Sequence, residues 1–104
     1  MIRKAFVMTV HPDKHDEYEK RHNEIWPEMI DELQNHGTSN YSIFLDKETS
    51  KLFGYVEIDD EELWSKIALA EMNKKWWKFM EPLMETNPDK SPVTKNLRQV
   101  FHMD

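Results

Sequence analysis

Apolar residues alternate with others at the start of the chain: Ile2, Phe6, Met8 and Val10 share one face at period 2, which predicts a strand over residues 2–10. His11-Pro12-Asp13 ends it, with Asp13 the expected cap of the next element. From Lys14 to His36 the period lengthens. Tyr18, His22, Ile25, Met29 and Leu33 recur three or four apart among Glu and Lys, as on an amphipathic helix. Pro27 removes a backbone donor, so this helix is expected to kink or to restart near Trp26. Gly37 is the residue expected to turn the chain out of the last helical turn.

Period 2 returns in Tyr41–Leu45 and Leu52–Ile58, two strands flanking the polar turn of residues 46–51. Asp59-Asp60 precedes a second helical region from Glu61 to about Met84, with Asn73 and Pro82 as the positions expected to split or end it. Asn87-Pro88-Asp89-Lys90-Ser91-Pro92 reads as a rigid loop, and Leu97–His102 as the last strand. The order β-α-β-β-α-β predicts a ferredoxin-like α+β fold, its helices on one face of an antiparallel sheet, as a single domain over residues 1–104. The other face would then lie bare and apolar. Packing against a second copy would cover it, so a homodimer is expected.

Composition narrows the function. Fourteen Lys and Arg against 20 Asp and Glu give a net charge of -6, the wrong sign for a surface that binds nucleic acid. Four Trp, five Phe and three Tyr argue for a packed core despite the high charge. The absence of Cys excludes disulfides, thiolate metal sites and Cys nucleophiles. No apolar run is long enough for a membrane span or a signal peptide, so a cytoplasmic protein without a membrane partner is expected.

Two constellations could carry chemistry. Tyr18 and His22 are four apart and project from one helix face, placing a phenol beside a group that gives and takes protons near neutrality. The pair could equally lie at the edge of the core with its polar tips satisfied. Trp76-Trp77 is the second. Neighbouring helical residues point about 100° apart, so one indole can enter the core while the other meets solvent, a second chain or a ligand. Flat indoles suit the C–H faces of a sugar ring or another aromatic surface. Tyr41 heads a strand, from which its hydroxyl could reach a pocket. His11, His15 and Glu19 are spaced as metal ligands, but Pro12 sets His11 outside the helix and no third ligand is spaced to help.

Along its whole length the sequence resembles the L-rhamnose mutarotase family. The resemblance rests on Arg21-His22-Asn23 with Ile25-Trp26-Pro27-Glu28, on Asn40-Tyr41 with Leu45-Asp46, on Trp76-Trp77, and on Asn87-Pro88-Asp89 with Ser91-Pro92. It implies a dimeric α+β barrel that interconverts the α and β anomers of L-rhamnose in the cytoplasm, using no metal or cofactor. It further implies that His22 is the catalytic acid and that Tyr18, Tyr41, Trp76 and Trp77 bind the sugar. The group that removes the anomeric proton is left open among Tyr18, a water and Asp89. Similar barrels include cofactor-free oxygenases, and a non-catalytic ligand-binding module is the remaining alternative.

Overall fold

A computed structural model describes residues 1–104. The elements, in chain order, are β1 (Ile2–Thr9), α1 (His15–Asn23), α2 (Pro27–Asn35), β2 (Thr38–Asp46), β3 (Lys51–Ile58), α3 (Glu61–Ser65), α4 (Glu71–Met80) and β4 (Lys95–Leu97). Short 3-10 turns, Lys66–Leu69 and Glu81–Leu83, follow α3 and α4. The strands form one sheet of order β2-β3-β1-β4, antiparallel throughout. This is the predicted ferredoxin-like arrangement.

The core lies between the helices and one sheet face. Phe6 and Met8 from β1, with Val10 just beyond it, meet Leu52, Val56 and Ile58 from β3, and Tyr18, Met29, Trp76, Met80, Leu83 and Met84 close over them. Gly54 sits on the same face because the Phe6 ring occupies the space above it. A Cβ at Gly54 would run into that ring. Phe6 in turn packs edge-on against Tyr41, with centroids 6.1 Å apart, so this close approach also seats a wall of the candidate site.

The predicted helix break is present. Pro27 is the first residue of α2, where its missing donor costs nothing, and residues 24–26 join the two helices. Gly37 follows α2 with φ of 72°, as a left-handed exit requires. Asp13, however, does not cap α1. The cap position falls on Lys14 with no side-chain bond, and the Asp13 carboxylate instead lies 3.8 Å from the Lys14 ammonium.

Three further expectations are corrected. The second helical region is split at Ala70, whose ψ of 133° is extended, and Asn73 lies buried inside α4 rather than at a break. Strand β2 begins at Thr38, three residues earlier than the alternation indicates. Asn40 (φ 47°) and Tyr41 together oppose one residue of β3, a bulge between the Ser39–Glu57 and Ser42–Tyr55 pairs. The bulge lets Thr38 and Tyr41 both face the helices although their parity differs. The last strand is Lys95–Leu97, paired with Ala5–Val7 of β1, and not Leu97–His102. Val100 and Phe101 are adjacent apolar residues that cannot share one face of a strand, and both are exposed.

Candidate active site

A cavity of about 870 Å³ opens between the helices and the sheet. Its wall includes Tyr18 and His22 from α1, Tyr41 from β2, and Trp76 and Trp77 from α4. All five residues predicted for the site therefore converge on one space.

Helix spacing explains half of this. Tyr18 and His22, one turn apart, stack with ring centroids 4.4 Å apart. Trp76 meets the His22 ring edge-on at 5.3 Å and is buried, at 7 % exposure. Trp77, turned away along α4, is half-buried against the core margin and reaches the cavity from a different angle. The Trp pair therefore divides as the helical angle requires. Trp26, beside the helix break, holds Trp76 from behind, with centroids 5.1 Å apart and planes at 87°. Arg21 locks α1 to the end of α4: its guanidinium lies 4.2 Å over the Phe79 ring, donates to the Phe79 carbonyl and is held by Glu17 at 2.8 Å.

Electrostatics set the protonation states. His22 Nδ1 lies 3.2 Å from the Tyr18 carbonyl oxygen. A carbonyl only accepts, so Nδ1 carries the hydrogen and Nε2 of the neutral ring keeps its lone pair. Burial disfavours the imidazolium and lowers the His22 pKa below its ordinary 6.5; the bond to the carbonyl opposes this with smaller effect. His22 therefore rests neutral at pH 7. Burial also raises the Tyr18 phenol, and Tyr41 beside it adds to the shift. Tyr41 leaves part of its ring exposed (37 %), yet the packing around its hydroxyl pushes that group up to about 12. Both phenols stay protonated. They can donate hydrogen bonds to a ligand, but Tyr18 is removed as a candidate base.

Asp89 is removed as well. Its carboxylate accepts from the Ser91 backbone at 3.0 Å and from the Ser91 hydroxyl, and these bonds hold its pKa below the usual range. The loop of residues 87–91 closes on itself through the Asn87 amide and the Ser91 carbonyl, 2.8 Å apart. Only Pro92, Thr94 and Asn96 of this region reach the cavity wall. His15, considered above as a metal ligand, lies with Nε2 2.8 Å from the Ser50 hydroxyl.

Sequence reasoning missed Trp64 and Asn73 on the wall. Trp64 lies near Tyr41, with centroids 6.4 Å apart, and periodicity places it simply as an apolar helical residue. Asn73 had a readable signal: it precedes Trp76 and Trp77 by three and four positions, so it shares their side of the helix.

The family model described as L-rhamnose mutarotase matches residues 3–103. An L-rhamnose mutarotase of Oceanobacillus iheyensis is 69% identical over 104 residues, covering 100% of both chains. That of Bacillus subtilis is 56% identical, again over 100% of both chains. The crystal structure of an L-rhamnose mutarotase from Formosa agariphila superposes with a TM-score of 0.92 at 39% identity, covering 100% of both chains. An antibiotic biosynthesis monooxygenase shares the fold alone, with a TM-score of 0.64 at 12% identity over 96% of this chain and 99% of that one.

Proposed function

The chain belongs to the L-rhamnose mutarotase family and is an isomerase that interconverts the anomers of L-rhamnose; we propose that the reaction takes place in the cavity described above, with His22 as its proton carrier. The observation that carries this assignment is the position of His22: a neutral imidazole on the cavity wall, its Nδ1 hydrogen committed to the Tyr18 carbonyl. Nε2 is then the nitrogen free to work.

Anomer exchange needs a proton moved from the anomeric hydroxyl to the ring oxygen, and no redox or group carrier. Nε2 takes the anomeric proton as the C1–O1 bond gains double-bond character. The bond from C1 to the ring oxygen breaks, its electron pair stays on that oxygen, and the imidazolium delivers the proton there. His22 is thus the acid of ring opening, holding a proton it has first taken up. The aldehyde turns about C1–C2, and the same steps run backwards to close the ring on the other face. The neutral phenols of Tyr18 and Tyr41 donate to oxygens that gain charge on the way. The indoles of Trp76 and Trp77 pack on the sugar's C–H faces and its C5 methyl. The largely apolar wall lowers the local dielectric and strengthens each of these polar contacts.

Polarimetry on a freshly dissolved single anomer of L-rhamnose tests the assignment. The protein should speed the relaxation to equilibrium rotation. After subtraction of the buffer rate, this acceleration should be level across neutral pH and fall as pH drops through the His22 titration below 6.5, because protonation removes the Nε2 lone pair. An acceleration that grows on acidification would contradict a neutral resting imidazole. Stability follows the same sign. The unfolded chain binds the His22 proton near the ordinary value and the folded chain only below it, so the contribution of the neutral buried ring is present above 6.5 and lost as pH falls.

The same reading includes a homodimer. The sheet face away from the helices carries Phe44 (66 % exposed), Phe53 (42 %) and Leu97 (41 %), Phe44 and Phe53 directly opposite each other in register. Sheet-on-sheet packing of two copies would bury this patch. Sedimentation should give a mass twice that of the 12.6 kDa chain, and Phe44→Lys should shift it towards monomer; a monomeric parent protein would remove the dimer from the account. The match over residues 3–103 supports a single domain spanning 1–104, and the reading places it in the cytoplasm, in carbohydrate metabolism.

A further inference from the structure

Asn73 is 4 % exposed, and its Nδ2 is shut off from solvent with no hydrogen-bond partner. Buried amides are normally paired, and an orphaned one calls for a reason. Thr38 Oγ1 is in the same condition, but Thr38 is not among the cavity residues, whereas Asn73 is. The position of Asn73 on α4 adds to this. It lies one turn before Trp76 and Trp77 on the same side of the helix, and all three line the cavity.

The amide oxygen of Asn73 is not closed off in this way, so it is the atom the side chain offers the cavity, where it accepts from a hydroxyl; a half-turn about Cβ–Cγ exchanges the two and presents Nδ2 there as a donor instead. The amide is neutral, as is the sugar, and no charge need be desolvated when they pair. A cavity amide discriminates against ligands that lack a hydroxyl to pair with it. We infer that Asn73 is a substrate-binding residue that reads a ring hydroxyl of the sugar, giving the cavity a selectivity that its aromatic walls alone cannot supply. This rests on the cavity being the L-rhamnose site.

The test compares the parent enzyme, Asn73→Ala and Asn73→Leu on L-rhamnose and on its 2-deoxy, 3-deoxy and 4-deoxy analogues, following anomer exchange by NMR. Losing one neutral hydrogen bond should raise KM for L-rhamnose about tenfold. On one of the analogues the penalty should vanish, since the hydroxyl that Asn73 reads is already gone. Asn73→Leu keeps the branched shape and the number of heavy atoms while removing the orphaned amide, so its Tm should be no lower than that of the parent while KM still rises. An unchanged KM, or the same penalty on L-rhamnose and all three analogues, would overturn the inference. So would two variants that melt far below the parent with KM unaffected, which marks a structural amide. A parent enzyme with no activity on L-rhamnose would instead overturn the assignment of the cavity, and with it the inference built on that.

Discussion

His22→Ala is expected to lower kcat for anomer exchange about 10²- to 10⁴-fold, the contribution of a positioned acid–base group. This corresponds to roughly 3–5 kcal/mol of barrier. The loss should fall on kcat more than on KM, because the proposed sugar-binding residues Tyr18, Tyr41, Trp76 and Trp77 remain on the cavity wall. His22 is only half-buried, so the variant should keep its circular dichroism spectrum and its sedimentation behaviour. Of the side chains weighed as the base, none replaces the ring. Both phenols are held protonated by burial, and Asp89 is engaged by Ser91 in its own loop. Imidazole added to the variant should restore part of the rate if the vacated space admits it. A folded His22→Ala enzyme with unimpaired kcat would remove His22 from the mechanism.

Trp76→Ala carries the largest expected effect on stability. Trp76 is buried at the junction of α1, α2 and α4, with His22, Trp26 and Phe79 around it at centroid distances of 5.3, 5.1 and 5.7 Å. Truncating a buried Trp typically costs about 3–5 kcal/mol, a large share of the roughly 5–15 kcal/mol that holds a domain folded. For a chain of this size the Tm should fall by more than about 12 °C. Trp77→Ala removes the half-buried indole and should cost much less in Tm while still weakening sugar binding. Thermal melts of both variants beside their KM values check the division of labour. Equal melting temperatures would contradict the assignment of Trp76 to the core and Trp77 to its margin.

What was legible in the sequence follows from where periodicity survives. In β1 and β3 the buried positions alternate without interruption, and both strands were placed almost to the residue. Pro27 marked its helix break because proline's missing donor is local chemistry. The break at Ala70 has no such marker: alanine is a good helix former, and its extended ψ arises from how α3 and α4 dock. Strand β2 was read three residues short because the bulge at Asn40-Tyr41 interrupts the alternation, and that same bulge turns Tyr41 to the cavity. The C-terminal strand was shifted because Leu97, Val100 and Phe101 are apolar enough to suggest a ladder that only Lys95–Leu97 makes.

The site itself was legible at the level of residue type and blind at the level of state. Tyr18, His22 and the Trp pair could be placed on faces by counting, but whether they lined a cavity depended on two helices meeting over the sheet. That His22 rests neutral with Nδ1 occupied depends on burial and on one backbone carbonyl, neither of which spacing encodes. Asn73 was read as a helix breaker from its intrinsic preference, whereas tertiary packing keeps it inside α4 and on the wall.

Saturation-transfer NMR on L-rhamnose at equilibrium tests the central claim most directly, since it observes interconversion of the anomers with no coupling enzyme. With the protein present at neutral pH, saturating one anomeric proton should deplete the signal of the other, and the transfer should vanish in the His22→Ala variant. D-glucose in the same tube should show far less transfer. Absence of any protein-dependent transfer on L-rhamnose, from a chain shown to be folded, would contradict the account.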